Sequence, residues 1–203
     1  RRVLFRSRVA CDVLGLPMAG HVSIEQNAKA RRVVEAFFPD STFHDNVLTV
    51  DEAMVRDWSL KYSNAGVVPI GAGPPCQGVS GLNADKRGAL KDPRSKLFSE
   101  VPRIKELVQR IFFWAQVHLF MESVASMDDN DRWTMSQAVD LMPWRIDALG
   151  LALCRRPRLY WVTWELRSEE QADVLPPDED KDFGSVTFSC VLEASKYLEP
   201  GWV

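Results

Sequence analysis

The sequence predicts an α/β fold with a mostly parallel sheet and helices on both faces, and three observations carry that prediction. Short apolar runs alternate with helix-patterned segments over residues 20–164. Breakers such as Pro39-Asp40 and Pro143 fall between them. Glu25, Cys76 and Glu122 each stand at or just past the end of an apolar run. In open α/β sheets, ligands bind outside the carboxyl ends of the strands.

Taken in order, residues 20–25 (GHVSIE) read as a strand. Residues 27–38 read as a helix with Val33, Val34, Phe37 and Phe38 apolar, ended by Pro39-Asp40. Asp51 suits the N-cap of a helix over 51–62, with Ala53, Met54, Val55, Trp58 and Tyr62 on its apolar side. Residues 67–72 (VVPIGA) form a buried strand in which Pro69 is an irregularity. Residues 95–113 are mainly helical, bent or restarted near Pro102. A strand at 117–122 (VHLFME), a helix at 131–141 stopped before Pro143, and a late strand at 159–164 (LYWVTW) follow. The strands ending at Glu25, Ala72 and Glu122 are expected to be neighbours in one sheet, with those ends on one edge. Residues 165–182 are acidic around Pro176-Pro177 and read as an exposed connection, and 183–203 begin a further unit.

The chain has 203 residues, 46% hydrophobic and 26% charged, ordinary values for a globular domain. No apolar run approaches the roughly twenty residues of a membrane span, so no membrane partner is expected. Val3-Leu4-Phe5 is too short for a secretory signal, and arginines flank it. The net charge of −3 argues against a general nucleic-acid coat protein but leaves room for a local basic groove. The four cysteines, Cys11, Cys76, Cys154 and Cys190, form no CxxC pair and have no histidine at ligand spacing. Neither a metal site nor a disulfide framework is therefore expected. Cys11 and Cys190 read as small buried hydrophobes.

Candidate chemistry centres on residues 71–83, GAGPPCQGVSGLN. Pro74-Pro75 fixes the backbone before Cys76, and Gly78 and Gly81 free the stretch after it. A rigid nucleophile beside a mobile flank suits a loop that closes over substrate; a purely structural turn is the alternative. Glu122 ends an apolar strand, where a carboxylate is costly unless it is functional or bonded to backbone donors. Arg156 and Arg158 are two apart on an incoming strand and should share a face suited to phosphate, carbonyl or carboxylate recognition. The stretch 85–110 is rich in cations, among them Lys86, Arg87, Lys91, Arg94, Arg103 and Arg110, and reads as a solvated face or a phosphate track. Phe112, Phe113 and Trp114 read as core, and His118 as a core histidine.

Pro-Cys-Gln at 75–77, Glu-Ser-Val at 122–124 and Arg-x-Arg at 156–158 occur together in the order seen in the cytosine-C5 DNA methyltransferase family, which the chain resembles over about residues 8–164. Residues 120–127 and 139–148 look most like its de novo, animal-type branch. The loop GVSGLN differs from that of the family's tRNA methyltransferases and favours DNA. The resemblance implies a Rossmann-like class I methyltransferase fold, S-adenosylmethionine as cofactor, and double-stranded DNA with a flipped cytosine as partner. It implies Cys76 as nucleophile, Glu122 as the acid at N3, Arg158 on the ring's O2 and Arg156 in support. Glu25 matches the acid on the ribose hydroxyls, or else is a helix-leading carboxylate near Asn27. Asp45 matches the adenine reader, although Asn46 splits the family's Asp-Val pair. Pro74 and Leu97 are expected on the cofactor or loop side, and Gln77, Ser80, Lys86, Arg87 and Arg94 on DNA. A homo- or hetero-oligomer with related methyltransferases is compatible with the resemblance. A nuclear site in a eukaryote, or a cytoplasmic one otherwise, follows from a DNA substrate.

The sequence departs from the pattern at Ser123, where the family has Asn, and in lacking a glycine-rich loop before residues 8–15 (RVACDVLG). A complete target-recognition region is also missing after Trp164. Residues 1–7 (RRVLFRS) read as the in-frame translation of a sequencing adapter, residues 8–164 as a partial catalytic domain, incomplete at both ends, and residues 165–203 as an acidic linker and the start of a target-recognition region. Residues 1–203 alone are accordingly expected to bind S-adenosylmethionine weakly or not at all. A methyltransferase-like protein that only binds DNA or a partner, and an RNA cytosine-C5 methyltransferase, stay open as alternatives.

Overall fold

A computed structural model of the chain describes residues 8–12, 15–76, 80, 95–147 and 156–164. Strand β1 (Val22–Ile24) leads to helix α1 (Ala28–Phe37), and β2 (Thr42–His44) to α2 (Glu52–Lys61). Then come β3 (Val67–Ala72), a 3-10 turn at Ser95–Ser99, α3 (Glu100–Ile111), β4 (Gln116–Val124), α4 (Asp129–Val139), β5 (Trp144–Asp147) and β6 (Pro157–Val162). Local chemistry sets the helix starts. Asn27 caps α1 by accepting from the Lys29 and Ala30 N–H groups at 3.0 and 3.1 Å, and Asp51 caps α2 from Met54 N–H at 2.9 Å. Pro102 lies in the first turn of α3, where its missing N–H costs no helix bond. Helix α4 ends earlier than its apolar pattern suggests. Asp140 takes the left-handed conformation (φ 54°, ψ 47°) three residues before Pro143.

The strands form two sheets, β1-β2 and β3-β4-β6-β5. The β1–β2 and β3–β4 pairs are parallel, while β4–β6 and β5–β6 are antiparallel. This corrects the mostly parallel expectation. After α4 the chain runs out along β5 and returns along β6, which inserts beside β4, giving the antiparallel edge common on α/β sheets. The neighbours also differ from expectation: β3 and β4 pair directly, but β1 pairs with β2 in the other sheet.

Strand alternation explains the layers. Leu119 and Met121 of β4 face the same side as Leu159 and Trp161 of β6, and pack with Val101 of α3 and Met135 and Val139 of α4. A contiguous core joins Val55 and Tyr62 from α2 and its cap to Ile104, Leu107, Val108 and Ile111 of α3. Val22 and Ile24 from β1 and Val68 and Ile70 from β3 pack against that same core. Helices α2, α3 and α4 therefore lie on one face of the larger sheet. The other face carries His118, Phe120, Glu122, Arg158 and Tyr160, all half-buried. There Phe120 lies parallel to Trp164 within 5° at 6.0 Å.

The aromatic run before β4 is only partly core. Phe112 is buried, but Phe113 and Trp114 are 82% and 42% exposed, because a turn follows α3 and points them outward. His118 is half-buried on the face away from the core and so is not the core histidine expected; its Nδ1 lies 3.2 Å from Thr163 Oγ1. Cys11 is half-buried, and burial with the nearby Asp12 raises its thiol pKa. Cys154 and Cys190 lie outside the described residues, as do residues 1–7 and 165–203.

Candidate active site

The first two candidates lie along the carboxyl edge of β3 and β4. Ala72 is in register with Met121, so Gly73-Pro74-Pro75-Cys76 leaves the sheet beside the position of Glu122. Cys76 is half-buried and packs against the core that contains Met121. Its carbonyl accepts from Ser80 N–H at 2.9 Å. Pro74 is half-buried just before it.

Glu122 projects from the open face of β4. Its Oε1 lies 2.8 Å from Arg158 Nε, each side chain being 22% exposed. The contact runs diagonally across the ladder, since Glu122 pairs with Tyr160 and Arg158 with Val124. A second guanidinium nitrogen, Nη1, donates to Pro157 O at 2.7 Å, fixing the fork. A cationic side chain, not a set of backbone donors, is therefore what accompanies this carboxylate. Arg156 does not share that arrangement. It precedes β6, is exposed, and its backbone N–H donates to Asp147 Oδ1 at 2.7 Å. Of the two arginines expected on one strand face, only Arg158 lies within β6, which begins at Pro157.

Glu25 and Asp45 follow the paired ends of β1 and β2. Ile24 is in register with His44, and Glu25 N–H donates to His44 O at 3.0 Å. The Glu25 Oε1 accepts from Asn27 N–H at 2.7 Å, so the helix-leading role is realised. One oxygen fulfils it. Asp45 is exposed beside it. Asn46, which interrupts the expected Asp-Val pair, caps the 3-10 turn Val47–Thr49 by accepting from Leu48 N–H at 3.0 Å. Leu97 is half-buried in the 3-10 turn that leads into α3.

Gln77, Lys86, Arg87 and Arg94 lie outside the described residues, so the proposed DNA track there has no structural account, and of that set only Ser80 is described. Two cations of the same stretch have structural partners instead. Arg110 Nη2 lies 2.7 Å from Glu52 Oε2, joining α3 to α2. Arg103 grips Glu100 and two backbone carbonyls. Sequence reading missed this role, because a guanidinium bound to carbonyls and one on a solvated face look alike in a charge run. Among the described residues no group of three or more His, Cys, Asp or Glu could hold a metal ion. No described helix is long and apolar enough to cross a membrane.

The architecture is thus a mixed α/β fold with a cysteine, a carboxylate–arginine pair and a second carboxylate pair at strand ends, which fits a Rossmann-like arrangement. No family model matches the chain. Over 112 residues, 49% of this chain and 25% of its counterpart, it is 35% identical to the Type II methyltransferase M1.BsuMI of Bacillus subtilis (strain 168). The chain thus spans about a quarter of the length of the curated relative it matches.

Proposed function

We propose that this chain is part of a DNA methyltransferase that transfers a methyl group from S-adenosylmethionine to C5 of cytosine. The similarity to a Type II methyltransferase supports methyl transfer to DNA. The observation that carries the finer reading is the placement of three motifs along one sheet edge. Cys76 leaves β3 beside Glu122, and Glu122 holds Arg158 at 2.8 Å. The three are separated by up to 82 positions in sequence (76 to 158). Residues 120–127 and 139–148 suggest the de novo branch within that family. A nuclear or cytoplasmic site, according to source, is part of the same proposal.

The residues fit the cofactor. Glu25 keeps one oxygen on Asn27 N–H and has a second to accept from ribose hydroxyls, with Asp45 adjacent for the adenine. Pro74 and Leu97 would line the same side. Bound there, S-adenosylmethionine supplies the electrophilic methyl. The chain's own residues do the rest. A target cytosine must leave the duplex stack to be reached. Cys76 Sγ, as thiolate, adds to C6. Once the Arg158 pair opens, the Glu122 carboxylate takes up a proton from solvent and delivers it to N3 as negative charge builds on the ring, while Arg158 turns to O2. Opening the Glu122–Arg158 pair is therefore part of accepting the base. After methylation the C5 proton leaves to water, the S–C6 bond breaks to return the thiolate, and the N3 proton goes back to the Glu122 carboxylate.

Within the same proposal, residues 8–164 are part of the catalytic domain and 165–203 lead toward target recognition. Among the described residues β1 and β3 each lack a partner on one side, yet both lie over the same core. One more parallel strand between them would give the doubly wound order. The test is to express the full reading frame that carries this segment, incubate it with duplex DNA and S-adenosylmethionine, and analyse nucleosides by mass spectrometry. 5-Methyldeoxycytidine is expected. N4-methylcytosine or N6-methyladenine would overturn the C5 assignment, and DNA binding without any methylation would favour the binding-only alternative.

A further inference from the structure

We propose that Arg103 is a positioning residue for the adenine side of the nucleoside site: it clasps the loop that presents Asp45 and Asn46. The proposal rests on the cofactor reading of Glu25 and Asp45 given above.

The geometry is specific. Arg103 stands in the first turn of α3, and Nη1 donates to Val50 O at 2.8 Å while Nη2 donates to Val47 O at 2.9 Å. Nε donates to Glu100 Oε2 at 2.6 Å, which aims the fork from the other side. The two carbonyls belong to the ends of a single 3-10 turn: Val50 O lies just past it, and Val47 O accepts Val50 N–H at only 3.4 Å, which leaves room for a second donor. A planar guanidinium can hold both at once, and an ammonium at one point cannot. The partners lie 53 and 56 positions away in sequence, so the clasp is tertiary.

The turn has other braces. Asn46 Oδ1 accepts from Leu48 N–H and Thr49 Oγ1 donates to Asn46 O at 3.0 Å, which fixes the shape of the loop. His44 Nε2, 2.8 Å from Thr49 Oγ1, ties it to β2. Val50, 2% exposed in the core, and Val47, packed on the same core, attach it to the body of the domain, and Arg103 adds polar bonds from α3. Asp45 and Asn46 lie between β2 and the clasped turn, next to Glu25. Releasing the fork frees the side of the site that Asp45 occupies and leaves Glu25, held by Asn27 N–H, where it was.

The test compares the full reading frame that carries this segment, as parent, with its Arg103→Met, Arg103→Lys and Glu25→Ala variants. Amide hydrogen exchange reads the clasp without ligand. Arg103→Met should speed exchange at Leu48, Thr49 and Val50 by roughly tenfold or more, with the amides of α3 unchanged, and Arg103→Lys should fall between. Unchanged protection at those three amides would overturn the clasp. Saturation-transfer NMR with millimolar S-adenosylhomocysteine reads its purpose, because it detects weak binding and separates adenine from ribose protons. The parent should receive transfer at both. Arg103→Met should lose most of the adenine transfer and keep ribose transfer, whereas Glu25→Ala should lose the ribose transfer. Equal adenine transfer in parent and Arg103→Met would overturn the role of Arg103 while leaving the nucleoside site standing. No transfer in the parent would overturn the site itself, and the positioning role with it.

Discussion

Replacing Ser136 with alanine should weaken the fold far more than its size suggests. Trp161 of β6 is 0% exposed, and its indole Nε1–H donates to Ser136 Oγ at 2.9 Å inside the core between β6 and α4. Removing the acceptor leaves a buried donor without a partner, which costs about 1–3 kcal/mol. A matched control exists one turn face away. Ser136 Oγ donates to Arg132 O at 2.8 Å, and Thr134 Oγ1 donates to Asn130 O at the same distance, but Thr134 is exposed and has no indole above it. Thr134→Ala should therefore change stability by no more than about 0.5 kcal/mol. Urea denaturation followed by far-ultraviolet circular dichroism measures both, with midpoints moving at constant slope. In a Trp161→Phe background Ser136→Ala should become nearly neutral, a coupling in the range of about 0.5–3 kcal/mol for residues in contact. If Ser136→Ala were as mild as Thr134→Ala, the indole bond would not hold β6 to α4. The placement of Arg158 on that strand would then need another explanation.

Two further outcomes follow from the same structure. His21 has its pKa lowered by burial and by Arg8, and its Nδ1 lies 2.8 Å from Ser41 Oγ. Its contribution is present above the unfolded pKa of about 6.5 and is lost as pH falls through the lower folded value. Urea midpoints should drop below pH 6.5 and His21→Gln should flatten that drop; an unchanged slope would remove His21 from the account. Gly20→Ala should destabilise by about 1–3 kcal/mol, since a Cβ there would meet Tyr62 Cε1 at 1.9 Å and that ring is held by a 2.7 Å bond from its hydroxyl to Thr42. A thermal melt unchanged by this substitution would contradict the close packing of Gly20 on Tyr62.

The α/β character was legible because apolar periodicity and caps are local. Asn27, Asp51 and Pro102 mark starts of helices by side-chain chemistry that needs no partner far away. Strands β2 and β5, three and four residues long, carry too little pattern to stand out from turns. The antiparallel return through β6 was not legible either, since strand order depends on which distant faces pack. The candidate site divides in the same way. Cys76, Glu122 and Arg158 could be picked out by residue type and setting, and the structure puts them at one edge. Arg156 looked equivalent to Arg158 in sequence, but the strand starts between them. Arg103 and Asn46 were hidden because their partners are backbone atoms, which every sequence possesses.

The most direct test of the proposed nucleophile uses the full reading frame and duplex DNA containing 5-fluorocytosine. Fluorine at C5 cannot leave as a proton does, so the enzyme should stay attached to DNA through Cys76 once the methyl group has moved. A covalent complex is expected on a denaturing gel with the parent protein. It should be absent with Cys76→Ser, since a serine hydroxyl is almost never ionised near neutral pH and is a much poorer nucleophile toward C6. Glu122→Gln should still bind DNA yet form the adduct roughly a hundred- to ten-thousand-fold more slowly. Cys11→Ser should trap DNA as the parent does. Trapping by Cys76→Ser at the parent's level would contradict the assignment of Cys76.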